Sequence, residues 1–180
     1  AIASKAIDAA SKQEVWLANL ETVTGGATKA KESYAALVQF AAKTPFDLGQ
    51  SVEGFTKLRT LGLEATEGAL TSFGNTAAAM GKPLSQMIEA VADASTFEFE
   101  RLKEFGIKSK QQADTVTFTF NGVNKTVRKN SAEIQKYLED IGNTKFAGAM
   151  ARQMDTIKGA MSNVEDSVFQ MFAAIGSGKL

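Results

Sequence analysis

The sequence predicts a mainly α fold: a bundle of short helices with one β-hairpin inserted at about residues 115–128. Three observations carry that prediction. Apolar residues recur at steps of three and four through most of the chain. Helix starts are marked by Ser, Thr, Asn or Pro and helix stops by Gly. One stretch, TVTFTFNGVNKTVRKN (Thr115–Asn130), alternates strictly and then turns on Asn-Gly.

The first helical stretch, AIASKAIDAASKQEVWLANLETV, is Ala-rich and weakly amphipathic, with Ile7, Val15, Trp16 and Leu20 as its expected anchors. Gly25 and Gly26 separate it from ATKAKESYAALVQFAAK. Thr44-Pro45 followed by Asp47 predicts a helix with Thr44 as N-cap, Pro at the first helical position and an acid on the positive end of the dipole. Its apolar stripe runs Phe46, Leu48, Val52, Phe55, Leu58, Leu61, and Gly62 is the expected stop, with Leu63 folding back on Leu58. The next helix, from Ala65 to Phe73, is expected to stop at Gly74, and Pro83 opens PLSQMIEAVADA. Ser95 with Glu98 reads as a capping box ahead of FEFERLKEF.

That helix ends on Gly106 much as the earlier one ends on Gly62. Leu58/Leu102, Leu61/Phe105 and Leu63/Ile107 share the offset of 44 residues (102 − 58). Two copies do not make a repeat architecture, which needs about three. Asn130 with Glu133 opens SAEIQKYLEDI, closed by Gly142; TKFAGAMARQMDTIKGAM follows, helical in period but carrying Gly148 and Gly159; Ser162 with Glu165 opens NVEDSVFQMFAAI. In the hairpin, an Asn121-Gly122 type I′ turn pairs Phe120 with Val123, Phe118 with Lys125 and Val116 with Val127. The Phe118/Phe120 face should pack on a helix, because a lone hairpin is marginal in water. Thr115, Thr117, Thr119, Asn124 and Arg128 share the polar face, and open strand edges near Thr119 suit strand addition by a partner. The domain reading is residues 1–43 as N-terminal amphipathic helices and 44–180 as a helical module containing the hairpin, or both as one continuous domain. The start on Ala1 and the finish on GSGKL read as cuts from a longer chain, although Met removal alone explains the first.

Composition excludes much chemistry. Lys plus Arg equals Asp plus Glu at 20 each, and no basic stripe marks a specific nucleic-acid site. With neither cysteine nor histidine, disulfides, thiolate or imidazole metal sites and His-activated nucleophiles are ruled out. The longest apolar-looking run, YAALVQFAA, is 9 residues, whereas a membrane span needs about 20, so no span is expected in this segment. No signal leader is visible. AAIGSGKL fails as a phosphate loop, with Ala173 at a required glycine and Leu180 at the hydroxyl position. Asn124-Lys125-Thr126 matches a glycosylation triplet without a secretion signal to support it. Carboxylates are the remaining route to catalysis: Glu98/Glu100, Glu139/Asp140 and Glu165/Asp166. A glycoside hydrolase needs two carboxyls about 5–9 Å apart in one cleft, and these acids read as solvated or capping. The methionines (Met80, Met87, Met150, Met154, Met161, Met171) read as core filler, with an adaptable interface as the second reading. No catalytic, cofactor-binding or metal residue is therefore assigned, and the chain is expected not to be an enzyme.

Three stretches resemble phage and prophage tail tape measure proteins. They are KTPFDLGQSVEGFTKLRTLGLEATEGALTSFGNTAAAMGKPLSQMIEAVADA (Lys43–Ala94), FERLKEFGIKSKQQADTVTFTFNG and FAGAMARQMDTIKGAMSNVEDS, together roughly residues 43–168. The resemblance implies a structural role: a molecular ruler whose helical length sets tail length during assembly, located in the virion tail and in the host cytoplasm during assembly. It implies contact with other tape measure copies, tail tube proteins or tail assembly chaperones. Members of the family also assist passage of DNA into the host, and some carry peptidoglycan-cleaving domains whose catalytic motifs find no match here. The alternatives are a small muralytic domain using a carboxylate pair and a generic helical interaction domain.

Overall fold

The computed structural model describes residues 2–177. Its helices are α1 (Ile2–Thr24), α2 (Ala27–Lys43), α3 (Leu48–Thr60), α4 (Glu67–Ala79), α5 (Leu84–Ser95), α6 (Ser131–Thr144), α7 (Ala149–Met154) and α8 (Ile157–Gly176), with a 3-10 helix at Glu100–Phe105. One antiparallel sheet joins β1 (Lys108–Gln111), β2 (Thr115–Phe120) and β3 (Val123–Arg128), with β2 in the middle. The protein is mainly α, as predicted. Its chain forms two compact units, Ala1–Thr56 with Ala151–Leu180, and Lys57–Met150.

In the first unit, α1 turns into α2 at Gly25, whose φ of +80° suits a residue without Cβ. The N–H groups of Gly25 and Gly26 both donate to the Glu21 carbonyl, at 2.9 and 3.2 Å. Helix α1 buries Ala6, Ala9, Ala10 and Leu20. Ile7 and Val15, expected as anchors, are 62% and 58% exposed. The correction is geometric: the small residues share one helical stripe, and their size lets neighbouring helices come close, while Ile7 and Val15 fall off that stripe. Trp16 does anchor α8, its ring 5.5 Å from that of Phe169. Tyr34 of α2 exchanges hydrogen bonds with Gln170, whose amide donates to the phenol oxygen at 3.2 Å.

Helix α3 starts later than expected. Thr44 is not its cap; it is the extended end of α2, donating its N–H to Ala41. The cap is Asp47, which accepts from the Gln50 N–H at 2.8 Å and from the Gln50 side chain at 3.2 Å. Asp is the stronger capping residue of the two, and Gln50, at the third helical position, donates to both of its carboxylate oxygens. Helix α8 begins at Ile157, ahead of the start expected at Ser162, whose side chain lies outside the described residues.

The second unit is organised by repeated helix endings. After α3, Gly62 takes φ +70°, Leu63 N–H donates to Leu58 at 2.9 Å and Gly62 N–H to Arg59 at 3.1 Å, the expected Schellman pattern. The same pair of bonds closes α4 (Lys82 to Ala77, Gly81 to Ala78), α5 (Glu98 to Asp93, Phe97 to Ala94) and the 3-10 helix (Ile107 to Leu102, Gly106 to Lys103). At the end of α5 the left-handed position is held by Phe97, φ +70°. This overturns the Ser95/Glu98 capping box: Ser95 is the last residue of α5 and its hydroxyl bonds back to Ala92. FEFERLKEF is accordingly a short 3-10 helix with no long α-helix in it. The endings at Gly62 and Gly106 are not equivalent in packing either, since Leu61 is 43% exposed and Phe105 fully buried.

Two expected stops are not stops. Helix α4 runs through the buried Gly74 to Ala79, and α6 runs through Gly142 to Thr144. A helix-interior glycine costs only about 1 kcal/mol, and at Gly142 the lost side chain makes room for another helix. A Cβ there would stand 2.0 Å from the Ser72 carbonyl oxygen of α4. Ser72 Oγ donates to the Glu139 carbonyl at 2.5 Å across the same contact.

The hairpin register is as predicted: Phe120↔Val123, Phe118↔Lys125, Val116↔Val127. Asn121 and Gly122 take φ +48° and +77° in the turn. Val116, Phe118 and Phe120 are buried; Phe118 stacks on Tyr137 of α6 at 4.6 Å and meets Phe99 edge-on at 5.3 Å. Strand β1 was not expected. It pairs Lys108 with Thr119 and Lys110 with Thr117, so β2 is interior and Thr119 is no edge position.

Candidate functional surfaces

Members of the acid pairs picked from the sequence take different partners. Glu100 pairs with Lys103 at 2.6 Å on the exposed side of the 3-10 helix. Asp140 faces Lys136 at 3.3 Å, whereas Glu139 accepts from the Gln135 amide at 2.9 Å. Asp166 accepts the Leu48 N–H at 3.2 Å, helping Asp47 to close the start of α3, while Glu165 is exposed. Burial pushes the Asp166 carboxyl above its usual range, against the Leu48 hydrogen bond and with help from Asp47. Its second oxygen is buried without a hydrogen-bond partner.

A different pair of acids does share a cleft. Gln135, 5% exposed, accepts from the Glu64 N–H at 3.0 Å and donates to the Glu64 carbonyl at 2.8 Å, tying the loop after Gly62 to α6. Above this clamp lies a cleft of about 390 Å³ lined by Glu64, Ser131, Gln135, Lys136 and Glu139. Burial raises the Glu139 carboxyl, and the nearby Glu64 adds to the rise, while Gln135 opposes it. No local signal joins Glu64 to Glu139; only the fold of α6 against the loop does so. The amide and backbone bonds make this a structural clamp. Among the described residues, no group of three or more Asp and Glu is arranged to hold a metal ion.

The remaining surfaces are suited to contact. The open face of the sheet carries Thr117 bonded to Thr126 and Thr119 to Asn124, both at 2.7 Å. Its free edges are β1 and β3. Within the first unit, α1 and α8 flank a mainly apolar groove of about 330 Å³, floored by Ala9, Phe169 and Phe172. Met87 and Met150 are core residues, whereas Met80 and Met171 are 36% and 49% exposed. No helix among the described residues is long and apolar enough to cross a membrane.

The model of the tape measure protein family matches residues 4–177. The chain belongs to the tape measure protein family. It is thus a structural component of a phage tail, and the match takes in α1 and α2, where the sequence had offered only generic amphipathic helix. No curated protein and no solved structure matches it. For a tape measure protein, the open apolar groove and the edges of the sheet direct attention to contact surfaces.

Proposed function

We propose that this chain is a folded, non-catalytic module of a tape measure ruler, sited near one end of a longer helical protein that sets tail length. The observation that carries this reading is the family match across 4–177 combined with compact folding. A ruler works by extension, at about 1.5 Å per helical residue. Compact units contribute little extension, so the measuring falls to helical segments elsewhere in the parent. The module's part is to hold position against other copies, tail tube subunits or assembly chaperones, first in the host cytoplasm and then in the tail. A role in passage of DNA into the host fits the same location.

The test is an in-frame deletion of a helical segment elsewhere in the parent, with tail length measured by electron microscopy. Shortening by about 1.5 Å per deleted residue is expected; tails of unchanged length count against the ruler role. Zymography on purified peptidoglycan addresses the muralytic alternative. A cleared band lost on Glu139→Gln or Glu64→Gln would overturn the non-catalytic reading.

A further inference from the structure

The free edge of β3 carries unused main-chain hydrogen bonds. Backbone groups of an antiparallel strand point alternately toward its partner and away from it. Two bonds fix the phase here. The Lys129 N–H turns inward and donates to the Asp114 carbonyl at 2.9 Å, whereas the Arg128 N–H turns outward and donates to the Glu133 carboxylate at 2.8 Å. Thr126 and Asn124 lie two and four residues before Arg128, so their N–H and C=O groups also face outward. Among the described residues these outward backbone groups have no partner.

The surroundings of that edge indicate what covers it. A pocket of about 190 Å³ opens between β3 and α6, lined by Phe120, Val123, Tyr137 and Ile141, with Lys125, Asp140 and Lys145 as its charged lining. Val123 is 61% exposed there. Asp140 is engaged by Lys136 at 3.3 Å, but among the described residues neither Lys125 nor Lys145 forms an ion pair. An anion already sits on this edge: the Arg128 N–H holds the Glu133 carboxyl below its usual range, with Asn130 and the Arg128 charge assisting. A second copy fits poorly, because β3 against β3 brings Lys125, Arg128 and Lys129 of both chains together. Strand β1 is the poorer edge, with four residues of which two are lysines, a common means of blunting an edge.

We propose that the β3 edge is a docking site for an extended acidic segment of another protein, which adds to the sheet as a fourth strand. Its main chain exchanges hydrogen bonds with Asn124 and Thr126. One apolar side chain enters the pocket beside Val123, and a carboxylate two residues along, on the same face, meets Lys125. This gives a partner chemistry to a module whose part is contact, and it rests on that reading.

The experiment titrates the full 180-residue chain into a fluorescent, end-capped peptide, Thr-Leu-Thr-Asp-Thr-Asp, and reads anisotropy. With two main-chain positions and one pocket engaged, a dissociation constant of about 10–300 μM is expected. With peptide at about ten times that constant, amide exchange at Asn124 and Thr126 should slow about tenfold, and exchange at Ser109 and Gln111 of β1 should not change. Lys125→Glu should weaken the acidic peptide at least about tenfold and favour Thr-Leu-Thr-Lys-Thr-Lys instead. Thr126→Pro removes one outward N–H at an edge position that proline tolerates, and should abolish binding while the thermal melt holds. A peptide N-methylated along its main chain, which needs no change in the protein, should also fail to bind. No binding of the acidic peptide at about 1 mM chain overturns the proposal. So does equal binding of the lysine peptide by the parent chain, or slowed exchange at β1 instead of β3. Slowing at Asn124 and Thr126 that grows with chain concentration in the absence of peptide assigns the edge to a second copy and overturns it as well. Because no tail is involved, such a failure is separate from failure of the deletion test for the ruler role.

Discussion

Gly142→Ala tests the closest approach in the second unit. A methyl placed on Gly142 lies 2.0 Å from the Ser72 carbonyl oxygen, 2.4 Å from its Oγ and 2.6 Å from its carbonyl carbon. Ordinary contact begins near 3.4 Å, so α4 and α6 must part by roughly an ångström at a point where both atoms belong to backbone. Overpacking of this kind costs about 1–3 kcal/mol. Parting the helices also strains the Ser72 Oγ to Glu139 bond, 2.5 Å long, at a fully buried serine; an unsatisfied buried hydroxyl adds about 1–3 kcal/mol. Against this stands the better helix propensity of alanine, about 1 kcal/mol. The net expectation is about 1–5 kcal/mol of destabilisation. Urea denaturation followed by circular dichroism measures it, with Gly68→Ala as control. There a Cβ meets only Thr66 Oγ1, at 3.8 Å, and the change should be neutral or stabilising. If Gly142→Ala were as stable as the parent, the account of the α4–α6 contact would be refuted.

Phe118→Ala removes a fully buried ring held between Tyr137 and Phe99 and should cost about 3–5 kcal/mol; a loss under about 1 kcal/mol in the same assay would show that the sheet does not rest on α6 this way. Asn130 accepts the Glu133 N–H at 2.8 Å as the cap of α6, so Asn130→Ala should cost about 1 kcal/mol and Asn130→Asp almost nothing. Asp166 is held above its ordinary 3.8 by burial. A raised folded value favours the protonated form, so this group's contribution is fully present below the unfolded value and lost as pH rises through the folded one. The parent should therefore gain stability relative to Asp166→Asn as pH falls through that window, and the variant should be at least as stable at neutral pH; thermal melts across pH would show the opposite slope if the carboxylate were stabilising.

What was legible in the sequence was local. The glycines at 62 and 106 could be read as stops because a Schellman ending needs only one turn of helix, a left-handed residue and an apolar residue beyond it. Asn130 with Glu133 and the Asn121-Gly122 turn are equally self-contained. Gly142 has the same composition signal as Gly62 but the opposite role, because its meaning depends on Ser72, which is 70 residues away (142 − 72). Strand β1 reads KSKQ, with neither alternation nor β-branched residues. It is a strand because β2 offers it a second edge. The alanine stripe of α1 was hidden by larger residues on the wrong face. The Glu64–Glu139 cleft had no local sign at all, and Asp47 outdid Thr44 as a cap only through Gln50 and Asp166.

Compact folding gives the ruler reading a quantitative consequence. The second unit, Lys57–Met150, has 94 residues (150 − 57 + 1), which as one continuous helix would span about 140 Å. A compact unit of that length has a radius of gyration of about 12 Å and so measures roughly 30 Å across. Its longest complete helix, α6, has 14 residues, about 21 Å. If tail length follows the extended length of the parent, residues inside this unit contribute several-fold less per residue than those in uninterrupted helix. Deleting residues 57–150 from the parent should therefore shorten tails by no more than about 30 Å, against about 140 Å for an equal deletion from a continuous helical segment. Equal shortening by the two deletions, read from electron micrographs of assembled tails, would mean that this unit is unfolded into helix in the tail and would refute its role as a compact module.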